Sequence, residues 1–221
     1  MNDLPKILPH DVNFTRRVPV CLIIDTSGSM EPSREALQEA VEKLIAELKN
    51  DSIAAKSAEL AIIAFGNDRA NVLREYTTVR EMSSAPKIEC DGSTPLGEAL
   101  DTALRLMRER QTEYTKQGIP TYKPLVILLS DGQPTDDWSS PALRFTKEAQ
   151  ARKWNVLALA YGDADVQVLG TITKNVLKAT KSFSFADFFR WISSSVASVS
   201  RSSDGSTVNL ELPKGVIQLQ I

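Results

Sequence analysis

Four apolar runs limit this chain's fold more than any other feature: Val18 to Asp25, Glu59 to Phe65, Pro124 to Ser130 and Asn155 to Tyr161. A strand with one wet face alternates apolar and polar residues, whereas a strand covered on both faces reads as an unbroken apolar run. Between the runs the period changes. Leu37, Ala40, Val41, Leu44, Ile45 and Leu48 recur at threes and fours, which makes Arg34 to Asn50 an amphipathic helix. Leu96, Ala99, Leu100, Ala103, Leu104 and Met107 draw a second stripe from about Pro95 to Arg110. Further helices are expected near 141–153, 165–170 and 185–199, the last with Phe188, Phe189, Ile192, Val196 and Val199 inward. Val72 to Val79 is shorter and more polar and reads as an edge strand, and Val176 to Ala179 reads as a weak one. This alternation predicts an α/β fold: a mainly parallel central sheet with one antiparallel edge strand and helices on both faces.

A chain of 221 residues suits one such domain. The expected organisation is an irregular lead-in over 1–17, the domain over 18–200, and a tail over 201–221 that can form a small hairpin across Pro213, Lys214 and Gly215. With 26 basic against 28 acidic residues the net charge is -2, which argues against a dedicated nucleic-acid binder. No stretch approaches the roughly 18 uncharged apolar residues of a membrane-spanning helix. The N-terminus lacks the apolar core of a signal peptide. Cys21 and Cys90 are the only cysteines, too few for a disulfide framework, so a cytoplasmic location is expected.

The first run ends in CLIIDTSGSM. Asp25, Ser27 and Ser29 put an oxygen at every second position just past a buried strand. Ligands on open α/β sheets lie beyond the carboxyl ends of the strands. Two more loops should reach that edge, one carrying Thr94 before Pro95 and one carrying Asp131-Gly132 after PLVILLS. Two carboxylates and three hydroxyls form a hard, all-oxygen set. It suits Mg²⁺, Mn²⁺ or Ca²⁺ rather than zinc or copper. Two carboxylates balance a divalent charge, and neutral hydroxyls leave the metal able to take one anionic ligand from outside.

In order and spacing, Asp25-Thr26-Ser27-Gly28-Ser29, Thr94 and Asp131-Gly132 resemble the metal-ion-dependent adhesion site of von Willebrand factor type A domains. The resemblance covers roughly Val18 to Val199. Within that family, GSTPLGEAL, PLVILLSDGQPTDDW and FADFFRWISSSVASVS resemble the bacterial tellurium-resistance TerY-like group. The resemblance implies a Mg²⁺-class site in which Ser27 and Ser29 bind the metal directly. Asp25, Thr94 and Asp131 would bind directly or through water, and Gly28 would admit close backbone approach. It further implies a non-catalytic module that captures an Asp or Glu of a partner protein. The setting implied is a tellurite or stress-response system, with a kinase-like protein or a PP2C-type phosphatase as partner.

Each residue also has a plainer reading. Thr94 before Pro95 could be a helix N-cap, Asp131-Gly132 a simple turn, and the serines a capping loop. Asp136 and Asp137 read as the start of the following helix or as solvated residues, with a supporting role beside Asp131 also open. His10, the only histidine, sits in the lead-in and is a poor catalytic candidate. SSSVASVSRSSDGS reads as a helix end and linker rather than a phosphorylation site. The three tryptophans read as core or partial core. An enzyme using Asp25 as a phosphoryl acceptor beside Mg²⁺ is the alternative function. Against it, Ser27 stands where the haloacid-dehalogenase-like pattern has a second Asp.

Overall fold

A computed structural model describes residues 15–202 and 211–220. Its strands are β1 (Val18–Asp25), β2 (Ala58–Gly66), β3 (Arg69–Thr78), β4 (Leu125–Ser130), β5 (Asn155–Ala160), β6 (Val176–Ala179) and β7 (Val216–Leu219). Its helices are α1 (Arg34–Asn50), α2 (Ala54–Ser57), α3 (Leu96–Gln117), α4 (Ser139–Ala151), α5 (Val166–Ile172) and α6 (Phe185–Arg201). The strands form one sheet in the order β3-β2-β1-β4-β5-β6-β7. β2, β1, β4, β5 and β6 run parallel. β3 is the expected antiparallel edge, and β7 adds a second antiparallel strand on the opposite edge.

Burial on both sides explains the unbroken runs. Along β1, Val18, Val20, Leu22 and Ile24 join a core with Leu37, Leu44 and Leu48 of α1 and Phe188, Ile192 and Val196 of α6. The alternate residues Cys21 and Ile23 join a second core with Leu100 and Met107 of α3 and Phe145 of α4. Each face of the strand is therefore apolar, and the period of two is invisible in composition. Cys21 is a fully buried free thiol, as its place in the run implies. Trp154 packs edge-on against Phe145, and Trp138 and Trp191 lie partly buried against the two cores. Among the described residues no helix is long and apolar enough to cross a membrane.

The chain departs from expectation in two places away from the site. α3 runs on to Gln117 because Tyr114 is drawn in, its hydroxyl donating to buried Glu59. The tail contributes a strand to the sheet: Val216–Leu219, just past the expected turn at Pro213, Lys214 and Gly215, pairs with β6, from Val176 opposite Leu219 to Ala179 opposite Val216. The hairpin's other arm lies largely outside the described residues, as do His10 and most of the lead-in.

The sheet order also fixes where a site can form. From β1 the chain first adds β2 and β3 on one side, then returns through α3 to place β4 on the other. The carboxyl ends of β1 and β4 therefore flank the point where strand order reverses, where a crevice opens.

Candidate functional site

Asp25 is the last residue of β1, and it is buried. Its Oδ1 accepts from the Ser27 backbone N–H at 3.0 Å and from Ser27 Oγ at 2.6 Å. Its Oδ2 accepts from Ser130 Oγ at 2.7 Å. Ser130 is the buried last residue of β4, and Asp131 follows it. Ser29 Oγ donates to Asp131 Oδ1 at 2.8 Å, across 102 positions of sequence. Ser27 Oγ and Ser29 Oγ lie 3.1 Å apart. Four of the five expected residues are thus joined in one chain of oxygens, Asp25–Ser27–Ser29–Asp131.

Thr94 completes the group by proximity. A Cβ placed on Gly132 would lie 3.8 Å from Thr94 Oγ1 and 4.0 Å from Ser29 Oγ. Both hydroxyls therefore border the space that a side chain at 132 would occupy. The Thr94 residue is 6% exposed, and its hydroxyl has no hydrogen-bond partner among the described residues.

The plainer readings do not describe these contacts. Ser27 and Ser33 stand at helix N-termini without making side-chain caps. Thr94 does not cap α3 either. That function falls to Asp136, whose Oδ1 and Oδ2 each accept at 3.0 Å, from the N–H groups of Gly97 and Glu98. The sequence offers Asp136 as the start of the following helix, α4, as a solvated residue, or as a support for Asp131. It closes the N-terminus of α3, because the β4–α4 loop folds back over that helix end. Asp137 accepts from Ser139 Oγ in the first turn of α4.

The loops are braced by backbone. Thr26 N donates to Phe65 O at 2.8 Å, Asp91 N to Thr26 O at 2.9 Å, and Gly28 N to Gly92 O at 3.0 Å. The glycines that packing demands are not the one singled out from sequence. A Cβ on Gly28 would meet Gly92 O at an ordinary 3.6 Å. On Gly66 it would sit 2.2 Å from Thr26 O, and on Gly92, at φ +65°, 2.7 Å from Asn67 Cα. Gly66 and Gly92 let the three loops interlock. Ser130 also went unassigned from sequence; the only signal was a hydroxyl at the sheltered end of an apolar run.

Both carboxyls are held in an unfavourable setting for charge. Burial pushes Asp25 above the ordinary carboxylate range, against the pull of its hydrogen bonds from Ser27 and Ser130. Burial raises Asp131 too; the Ser29 hydrogen bond opposes this, and the neighbouring Asp25 charge adds to it. Among the described residues no cation is paired with either; both meet hydroxyls instead. The donors are hydroxyls and carboxylates, the set that a hard divalent ion prefers.

A family model for the von Willebrand factor type A domain matches residues 20–195. No curated protein matches the chain. Among solved structures, the pilus adhesin SpaC of Lactobacillus rhamnosus GG superposes with a TM-score of 0.65 at 16% identity, covering 82% of this chain and 30% of that one. A von Willebrand factor type A protein of Catenulispora acidiphila gives 0.59 at 20%, over 82% and 43% of the two chains. The von Willebrand factor domain of the type V pili tip protein of Porphyromonas gingivalis gives 0.60 at 11%, over 87% and 99%. This chain spans less than half the length of the first two, and at these identities the likeness is one of fold. The fold and the matched residues together place the chain in the von Willebrand factor type A family.

Proposed function

We propose that this protein is a protein–protein interaction module whose grip depends on a divalent metal held by Asp25, Ser27, Ser29, Thr94 and Asp131. One observation carries the reading. With both aspartates ionised, Ser27 gives its single hydrogen to Asp25 and Ser29 gives its own to Asp131. Their oxygens then face each other at 3.1 Å with no hydrogen between them. Lone pairs so exposed, beside a Thr94 hydroxyl that has no partner among the described residues, suit a cation. Mg²⁺ fits the donor set, with Mn²⁺ and Ca²⁺ close substitutes. Ser27, Ser29 and Thr94 would present neutral oxygens, and the two aspartates would supply the balancing charge.

A bound cation would be electrophilic, since three of the five side chains are neutral. Ser29 is exposed, so the group opens outward. The external ligand we propose is an Asp or Glu of a partner protein. Several family structures are of pilus adhesins and tip proteins, which is consistent with capture rather than turnover. Asp25 has both oxygens engaged by hydrogen bonds, a poor arrangement for a phosphoryl-accepting nucleophile. The reading extends to a cytoplasmic bacterial setting in tellurite or stress response, with a kinase-like or PP2C-type partner, on the sequence resemblance alone.

Thermal unfolding of the metal-stripped protein tests the site. Mg²⁺ or Mn²⁺ at a hundred times its dissociation constant should stabilise the fold by about 2.7 kcal/mol. Ser27→Ala/Ser29→Ala should abolish the shift. A metal shift that survives the double substitution would place the ion elsewhere. Phosphate release from a phosphomonoester that is lost in Asp25→Asn would favour the enzyme.

A further inference from the structure

We propose that Thr135 and Asp136 are positioning residues that lock the loop carrying Asp131 to the helix start carrying Thr94. The inference rests on the metal reading above and concerns how its two distant halves are kept in register. Asp25, Ser27 and Ser29 arrive on one continuous segment, so local geometry sets their spacing. Thr94 and Asp131 come from different loops, and neither touches the other through a hydrogen bond. Their separation must be set by something else.

The β4–α4 loop supplies it. Thr135 and Thr94 bond reciprocally: Thr135 N donates to Thr94 O at 3.0 Å, and Thr94 N donates to Thr135 Oγ1 at 3.0 Å. One turn further on, Asp136 takes the N–H groups of Gly97 and Glu98 with its two oxygens. Four hydrogen bonds thus join residues 94–98 to residues 135–136. The fit is close. A Cβ on Gly97 would lie 2.6 Å from Asp137 O and 2.9 Å from Asp136 Oδ2. Asp136 therefore satisfies two N–H groups that the helix leaves open and anchors the loop four residues beyond the Asp131-Gly132 pair. A carboxylate on a helix N-terminus is also favoured by the helix dipole. Thr94 needs no cap of its own, which leaves its hydroxyl free to face the cradle.

Residues that orient ligands without touching the metal commonly change affinity by about 10–100-fold when removed. Mn²⁺ binding, read by electron paramagnetic resonance well below the melting temperature, should weaken by at least about tenfold in Asp136→Ala and in Thr135→Val. Asp136→Asn keeps one acceptor and should recover part of the loss. Hydrogen exchange at Gly97 and Glu98 should accelerate in metal-free Asp136→Ala, a readout independent of any ion. Asp51→Ala is the control. Asp51 accepts from the N–H groups of Ile53 and Ala54, away from the site. It should lower melting comparably and leave Mn²⁺ affinity unchanged. If Ser27→Ala/Ser29→Ala abolishes Mn²⁺ binding while Asp136→Ala binds like wild type, the positioning role is wrong and the metal site stands. If wild type itself binds no Mn²⁺, or the double serine variant still binds, the metal reading and this inference fall together.

Discussion

Two buried acids sit at opposite ends of the same sheet, and they are treated in opposite ways. Glu59 lies at the start of β2 and is 1% exposed. Arg110 donates to its Oε2 at 2.7 Å, Tyr114 donates to the same oxygen, and Arg17 approaches Oε1 at 3.2 Å. The Arg110 guanidinium also lies 4.8 Å above the Tyr114 ring. Asp25, at the end of the neighbouring β1, is 0% exposed, and among the described residues its carboxylate meets hydroxyls and backbone N–H groups. A buried charge that is matched by cations belongs to the architecture. A buried charge left to neutral donors is poised for a counter-ion from outside. The difference separates an end where the buried acid is matched by arginines from the end where we propose that a cation binds.

Substitution should expose that difference most strongly at Glu59. Glu59→Ala removes the buried partner of two guanidinium groups, leaving Arg110 with Glu113 and Arg17 with the Lys56 carbonyl, and should cost roughly 3–5 kcal/mol in urea unfolding, with the metal-induced shift of the folded protein retained. Tyr114→Phe removes one of the two residues that donate to Glu59 and should cost about 1.5–3 kcal/mol, the range for a hydrogen bond to a charged group. Asp25→Asn should reverse the sign. An acid whose folded pKa is raised favours folding at low pH, and that contribution is lost as pH rises from about 4 through the folded pKa. Metal-free Asp25→Asn should therefore melt at or above wild type at neutral pH, with a flatter pH dependence across that window, and lose its response to Mg²⁺. An Asp25→Asn variant that melted as low as Glu59→Ala would erase the distinction between the two ends.

The strands and helices were legible because burial on both faces leaves apolar runs and three-to-four periodicity in the chain itself. The five oxygen-bearing residues were legible because each follows a strand or precedes a helix at a recognisable spacing. The helix that Asp136 caps is not legible in sequence, for a physical reason. Acidic residues favour the N-terminus of a helix, and sequence names only the nearest one, α4. The helix that Asp136 closes, α3, begins 40 positions earlier in the chain. Glu59 was hidden in the same way, since an acid at the edge of an apolar run carries no mark of the arginines that will meet it. The seventh strand was hidden because pairing of Val216–Leu219 with β6 depends on an open sheet edge, not on residues nearby in sequence.

By itself, then, the sequence determined the alternation of covered strands and amphipathic helices, the family to which they belong, and the identity of the oxygens at one sheet edge. These follow from periodicity and local spacing, which a linear chain records. Tertiary structure decided which hydroxyl gives its hydrogen to which carboxylate, and which loop braces Thr94. It also decided which buried acid is matched by arginine. Those outcomes depend on distances between segments far apart in the chain, and such distances exist only after the sheet has brought the segments together.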